Sequence, residues 1–225
     1  NRRFQYSLIT KGATAKTYEK SLDWLLRSGY ALACRQTSLH LYPTDCGLCA
    51  RVLGVPSYQL LTGSDTPAAR ACTETFLALA DVLDEDLWLD RALSIADRVI
   101  HQHAAQSGYL PIEHFDAQWQ ALPDYNIDNP ADPFRPFGKT PGHAFEWARL
   151  LLHLEAARKQ RGLSAPAWLL EDARQLFSSA CLHGWNVDGG SGIVYTLDWD
   201  NRPVVRERLH WTLAEASAAA AALLQ

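Results

Sequence analysis

The sequence predicts an all-α protein whose helices alternate between an inner and an outer ring, an α/α toroid or barrel. Three observations carry that prediction. Nearly all-apolar helices begin near residues 72, 141 and 209, a period of roughly 70 residues, or one helix pair plus one connector. The first two are each followed by a more amphipathic helix, so fully buried and half-exposed helices alternate. Long connectors separate the pairs, and long loops at one end of a helical ring are where such folds build sites. An ordinary helical bundle is the alternative, and the connector lengths favour the toroid.

The elements follow in order. Cys72–Leu83 reads as an all-apolar helix. Asp86–His103 reads as an amphipathic one: Trp88, Leu89, Ala92, Leu93, Ile95, Ala96, Val99 and Ile100 fall opposite Asp90, Arg91, Ser94, Asp97 and Arg98 on a helical wheel. Gly108–Thr140 is a connector rich in Pro, Asp and aromatic residues. Pro141–Lys159 has Pro in its first turn and is apolar almost all round. Ala167–Leu182 opens on Trp168-Leu169, as the earlier outer helix opens on Trp88-Leu89. A second connector, Gly184–Arg206, leads to a third apolar helix near Leu209, and both connectors are expected to close as short β-hairpin-like turns. Residues 72–225 thus form a partial barrel domain. Residues 1–71 are an N-terminal region of weak pattern, with one helix candidate over Thr17–Cys34.

Composition narrows the function. The chain has 225 residues, 48% hydrophobic and 20% charged, which specifies a globular protein. A net charge of −4 argues against a nucleic-acid partner, and no apolar run reaches the length of a membrane span. An odd count of five Cys and the lack of a signal-peptide pattern point to reduced thiols and a cytoplasmic location. Cys46 and Cys49 form a CxxC pair, but Cys34 and Cys72 do not complete a common zinc spacing, and no βαβ context supports thioredoxin-like chemistry. Gly189-Gly190-Ser191-Gly192 is not a dinucleotide-binding fingerprint. The chain has no Met, starts with Asn1 and runs to Gln225 in an uncapped helix, which reads as a fragment or truncated product.

The chemistry concentrates on the second inner helix. His143, Glu146, Arg149 and His153 lie three or four residues apart, which stacks them into one stripe. A solvent-facing stripe would need a polar face, and the rest of this helix is apolar. His143 sits in the first turn, facing the mouth of the barrel, and Glu146 one turn on would orient it or hold a substrate hydroxyl. The pair falls short of the three or four ligands a metal needs, so neither metal nor cofactor is expected. Glu215 is the only charge between Trp211 and Gln225, so it is expected to be paired, with Arg208 or Arg206 as structural partner, or used at the site, and the two readings are compatible. The connector runs Glu113–Asp116 and Tyr125–Gly138 combine aromatics, carboxylates, amides and Arg135, the groups with which proteins hold sugars. Arg135 also suits a sulfonate or phosphate.

These residues resemble a known family. Glu113-His114-Phe115-Asp116, Asp124-Tyr125-Asn126, Asn129 to Arg135, Thr140-Pro141-Gly142-His143, Glu146-Trp147-Ala148-Arg149 and Tyr195 to Trp199 occur in the order seen in the N-acylglucosamine 2-epimerase superfamily. The likeness is to its aldose–ketose isomerases, the mannose and sulfoquinovose isomerase branch, and runs from about Thr73 to Gln225. The resemblance implies an (α/α)6 barrel, incomplete here, and metal-free isomerisation of a sugar through an enediol, with 2-epimerisation as the alternative chemistry. It implies that His143 moves the proton with Glu146 assisting, and that Arg135, Phe134, Glu215 and Trp211 lie on the substrate side. It also implies departures. Relatives carry Asn and His where this chain has Pro67 and Ala71, and a second acid/base His is expected beyond Gln225. A non-catalytic remnant that binds sugar is therefore the reading from another functional class.

Overall fold

The computed structural model describes residues 66–225 except 117, 118, 133 and 134. All of these fall in one unit, Leu61–Gln225. The helix expected over Thr17–Cys34, the Cys46–Cys49 pair and Phe134 lie outside the described residues.

The described residues form helices joined by connectors. Helix α1 spans Thr66–Leu83 and α2 spans Leu87–Ala96. Helix α2 widens into a π-helical stretch over Asp97–Ala104, followed by the tight turn Ala105–Ser107. Helices α3, Pro141–Gln160, α4, Trp168–Gly184, and α5, His210–Leu223, complete the order. Helix α1 starts at Thr66, upstream of the Cys72 that the apolar pattern indicates. Thr66-Pro67 is a helix-start pair, and the alanines that follow favour helix without adding an apolar period. The amphipathic stretch from Asp86 to His103 is not one regular α-helix, but its wider turns still keep Val99, Ile100 and Ala104 buried.

Helix α3 is the hub. Phe145, Trp147, Leu150, Leu151 and Leu154 are fully buried, and α3 packs against α1, α4 and α5. Burial of each such side chain stabilises by about 1.5–3 kcal/mol, which is why an all-apolar helix takes the inside position. Helices α2 and α4 keep Asp90, Ser94, Arg98, Glu171, Arg174 and Gln175 exposed and bury their opposite sides. Inner α1, α3 and α5 thus alternate with outer α2 and α4, the arrangement of an α/α toroid. Helix α5 buries Thr212, Ala216 and Ala219, while Leu213, Ala214 and Ser217 are exposed.

Polar ties lock the rings. At the C-terminal end of α3, Arg158 reaches Asp90 at 2.7 Å and the Ser164 carbonyl at 2.6 Å. Arg161 reaches Asp84 at 3.0 Å and Asp86 at 3.1 Å, on the turn between α1 and α2. In the outer ring the buried Asp172 of α4 accepts hydrogen bonds from Tyr109 Oη at 3.0 Å and His101 Nδ1 at 2.8 Å. Burial and the bond to Asp172 push the Tyr109 phenol above its ordinary range. The connectors close through isolated bridges, Phe115 with Ala121, Trp185 with Ile193 and Leu197 with Pro203, which matches the hairpin-like turns expected of them.

Replacing Asp172 by Ala strands the Tyr109 hydroxyl and the His101 ring. We expect a loss of about 1–3 kcal/mol, read as a lower urea midpoint with an unchanged slope. An unchanged midpoint would show that Asp172 does not tie α4 to the end of α2.

Candidate active site

The site is built around the first turn of α3. Lys139 pairs with Leu197 on one side, with both backbone bonds at 2.8 Å, and bridges to Ile112 on the other. The segment entering α3 is therefore gripped by both connectors. Thr140 is extended, with φ −113° and ψ 105°, and Pro141 opens the helix with its fixed φ and no donor to waste. Gly142 permits a close approach: a Cβ there would stand 2.6 Å from Trp211 Cη2 and 2.7 Å from Thr212 Cγ2. Any side chain at 142 would push α5 away. The next residue, His143, is buried.

His143 Nδ1 lies 2.6 Å from Glu113 Oε1. Burial pushes the Glu113 carboxyl up, but the His143 imidazole and its hydrogen bond, with Arg70 and His114, outweigh that and hold it below the ordinary value. A carboxylate only accepts, so Nδ1 carries the hydrogen and, in the neutral ring, Nε2 keeps the lone pair. Among the described residues no partner takes Nε2. The indole of Trp211 stacks on the imidazole with centroids 5.2 Å apart and planes at 30°. Tyr195 meets the same indole edge-on at 6.4 Å. Its phenol is pushed up to about 12 by burial and by the charges of Glu113 and Asp132, so it stays protonated at neutral pH. A buried imidazole oriented by a carboxylate, with one nitrogen uncommitted, is an arrangement suited to moving a proton.

The structure redistributes several roles expected from sequence. Glu113, not Glu146, orients His143. Glu146 instead pairs with Arg70, its Oε2 2.6 Å from Nε. Burial pushes the Glu146 carboxyl up, with Arg70 and His143 acting against that and Glu215 and Glu74 adding to it. Glu215 pairs with Arg149 at 2.7 and 3.2 Å, not with Arg208 or Arg206. Those two arginines both bind Asp188 in the second connector. Arg149 also reaches Glu74 of α1 at 3.4 Å. The stripe on α3 therefore faces α1 and α5 as a row of paired charges.

Arg135 sits in the first connector. Its Nη1 donates to Tyr125 Oη at 3.1 Å, its backbone N to Asp132 at 2.8 Å, and its carbonyl accepts from Asn126 at 2.6 Å. The Tyr125 ring stacks on His114 at 4.1 Å, and His114 is adjacent to Glu113. The connector bearing Arg135 is thus tied to the segment that positions His143. Glu113 and Arg70 are the site residues that sequence reasoning did not select. Glu113 stood out only as part of a polar, aromatic connector, because a partner thirty positions away leaves no local periodicity. Arg70 precedes the apolar pattern by which α1 was recognised.

The pH dependence of stability tests the Glu113–His143 pair. A carboxyl depressed on folding contributes stability that is fully present above its ordinary pKa of 4.5 and is lost as pH falls through its lower folded value. We expect the stability difference between the parent chain and Glu113→Gln to be largest above pH 4.5 and to shrink in acid, measured by urea titrations across pH. A difference independent of pH would disprove the ionised state of Glu113.

Comparison with known proteins places this geometry. The family model for N-acylglucosamine 2-epimerase (GlcNAc 2-epimerase) matches residues 64–225. A D-mannose isomerase of Pseudomonas cannabina pv. alisalensis is 71% identical over 153 residues, which is 68% of this chain and 37% of the relative. A D-mannose isomerase of Thermobifida fusca is 51% identical over 152 residues, 68% of this chain and 36% of the relative. The crystal structure of a D-mannose isomerase superposes with a TM-score of 0.65 at 31% identity, covering 73% of this chain and 41% of that one. The chain spans little more than a third of the length of these curated relatives. It belongs to the N-acylglucosamine 2-epimerase family.

Proposed function

We propose that this chain belongs to a sugar isomerase that interconverts an aldose and a ketose, mannose-type and fructose-type, by His-mediated proton transfer through an enediol. The observation that carries the reading is the buried Glu113–His143 pair at 2.6 Å, which aims the hydrogen of Nδ1 at the carboxylate and leaves Nε2 for the substrate. The similarity to D-mannose isomerases supports the substrate class. On this reading the protein is cytoplasmic and acts on a free small-molecule sugar.

The bond accounting is internal to the sugar. Nε2 of His143 takes the proton from C2 of the opened aldose. The C2–H electron pair becomes the C1–C2 double bond as the carbonyl electrons move onto O1. O1 then gains a proton, O2 loses one, and His143, after its proton has exchanged with solvent, delivers a proton to C1 to give the ketose. No oxidant or reductant enters, and imidazole is the side chain whose basicity suits both directions near neutral pH. Trp211 covers one face of the ring and offers an apolar wall to the sugar. Arg135 and Phe134 on the first connector and Glu215 on α5 are assigned to the substrate side, and Glu146 to a hydroxyl within reach of Arg70. A sulfonated hexose such as sulfoquinovose is the variant substrate that Arg135 would favour.

The test is product analysis with D-mannose in heavy water. We expect fructose with solvent deuterium incorporated, and a fall of about 10²–10⁴-fold in kcat for His143→Gln. Undiminished turnover by His143→Gln would defeat the assignment. An epimeric aldose would indicate the 2-epimerase chemistry, binding without turnover would indicate a sugar-binding remnant, and inhibition by chelator would indicate a metal.

A further inference from the structure

We infer that Arg70 is a substrate-side residue of this site, its guanidinium meeting the sugar oxygen on which negative charge gathers as the proton leaves C2. This inference rests on the isomerase reading above. Arg70 lies on α1, and its side chain is 12% exposed. Glu146 of α3 holds its Nε edge at 2.6 Å. Nη1 on the other arm is buried and makes no hydrogen bond among the described residues. Glu146 stands one turn beyond His143 on α3, so its pair with Arg70 brings the guanidinium to the stripe of α3 that carries the imidazole.

A guanidinium presents five donors in a rigid plane. A buried donor without a partner costs free energy, and each such group in a folded protein calls for an explanation. A counter-ion role toward Glu146 is complete with the Nε pair and leaves Nη1 unexplained. A ligand oxygen explains it. The enediol route builds negative charge on O1, and a pre-placed cation in a water-poor site stabilises such charge without reorganising. The arrangement divides the work: Glu113 and His143 move the proton, and Arg70 receives the charge left behind.

The test uses the full chain and two probes in calorimetric titrations. One is the aldonohydroxamate of arabinose configuration, which mimics the anionic enediolate. The other is D-mannitol, a neutral polyol. The parent chain is expected to prefer the hydroxamate. Arg70→Gln should weaken hydroxamate binding about 10²-fold and leave mannitol unchanged, and Arg70→Lys should recover part of the loss. The double variant Arg70→Gln/Glu146→Gln removes the unpaired carboxylate and should keep the weak hydroxamate binding. Restored preference in the double variant would reduce Arg70 to a counter-ion and overturn the inference. Equal weakening of both probes by Arg70→Gln, or no weakening of either, would overturn it as well. A parent chain without any preference for the hydroxamate would overturn the isomerase reading and this inference with it, before any variant is compared.

Discussion

The hydrogen bond between Glu113 and His143 joins the two levels of this structure. It ties the first connector to the first turn of the most buried helix, across thirty residues of chain, at 2.6 Å. Glu113 is 1% exposed, and a carboxylate so placed is tolerated only when paired. The imidazole in turn is fixed by Trp211 on its face and by the carboxylate at its edge. The dyad therefore demands that connector, α3 and α5 all be in register. Removing one partner leaves the other buried without compensation, which costs more than the pair contributes when intact.

The charges further along α3 obey the same constraint with a different outcome. Glu146 finds Arg70 on α1, and Arg149 finds Glu215 on α5 and Glu74 on α1. These pairs link three inner helices that apolar packing alone would let slide past one another. Desolvation offsets much of the attraction in such pairs, so their contribution lies more in setting helix register than in net stability.

The second connector supports the site from behind. Asp188 is gripped by Arg206 and Arg208, and Arg208 also holds the carbonyls of Gly190 and Ser191. That clamp fixes the Gly-rich tip directly before α5 begins at His210, and so sets where Trp211 emerges. Lys139 performs the matching task on the other side. Its ammonium bonds the Trp199 carbonyl and the Asn201 side chain and lies 5.8 Å from the Trp199 ring centroid. Burial lowers its basicity while Asp198 and Asp200 oppose that. The Gly-rich run thus serves the geometry of a turn held by Arg208.

Much of the fold was legible in the sequence because helix periodicity is a local property. The alternation of all-apolar and amphipathic helices announced inner and outer rings, and Pro141 and the Trp-Leu openings marked helix starts. His143 was legible as a polar residue on an apolar helix, and Trp211 by its place on the next inner helix. Partnerships were not legible, because they depend on which helix faces which. The sequence by itself determined that a buried helix would carry His143, Glu146 and Arg149 on one stripe. Only the tertiary structure decided that Glu113 orients the imidazole, that Glu146 takes Arg70 and that Arg149 takes Glu215. A buried charge selects whichever opposite charge the packing of neighbouring elements brings within a few ångströms, and no spacing along the chain encodes that distance.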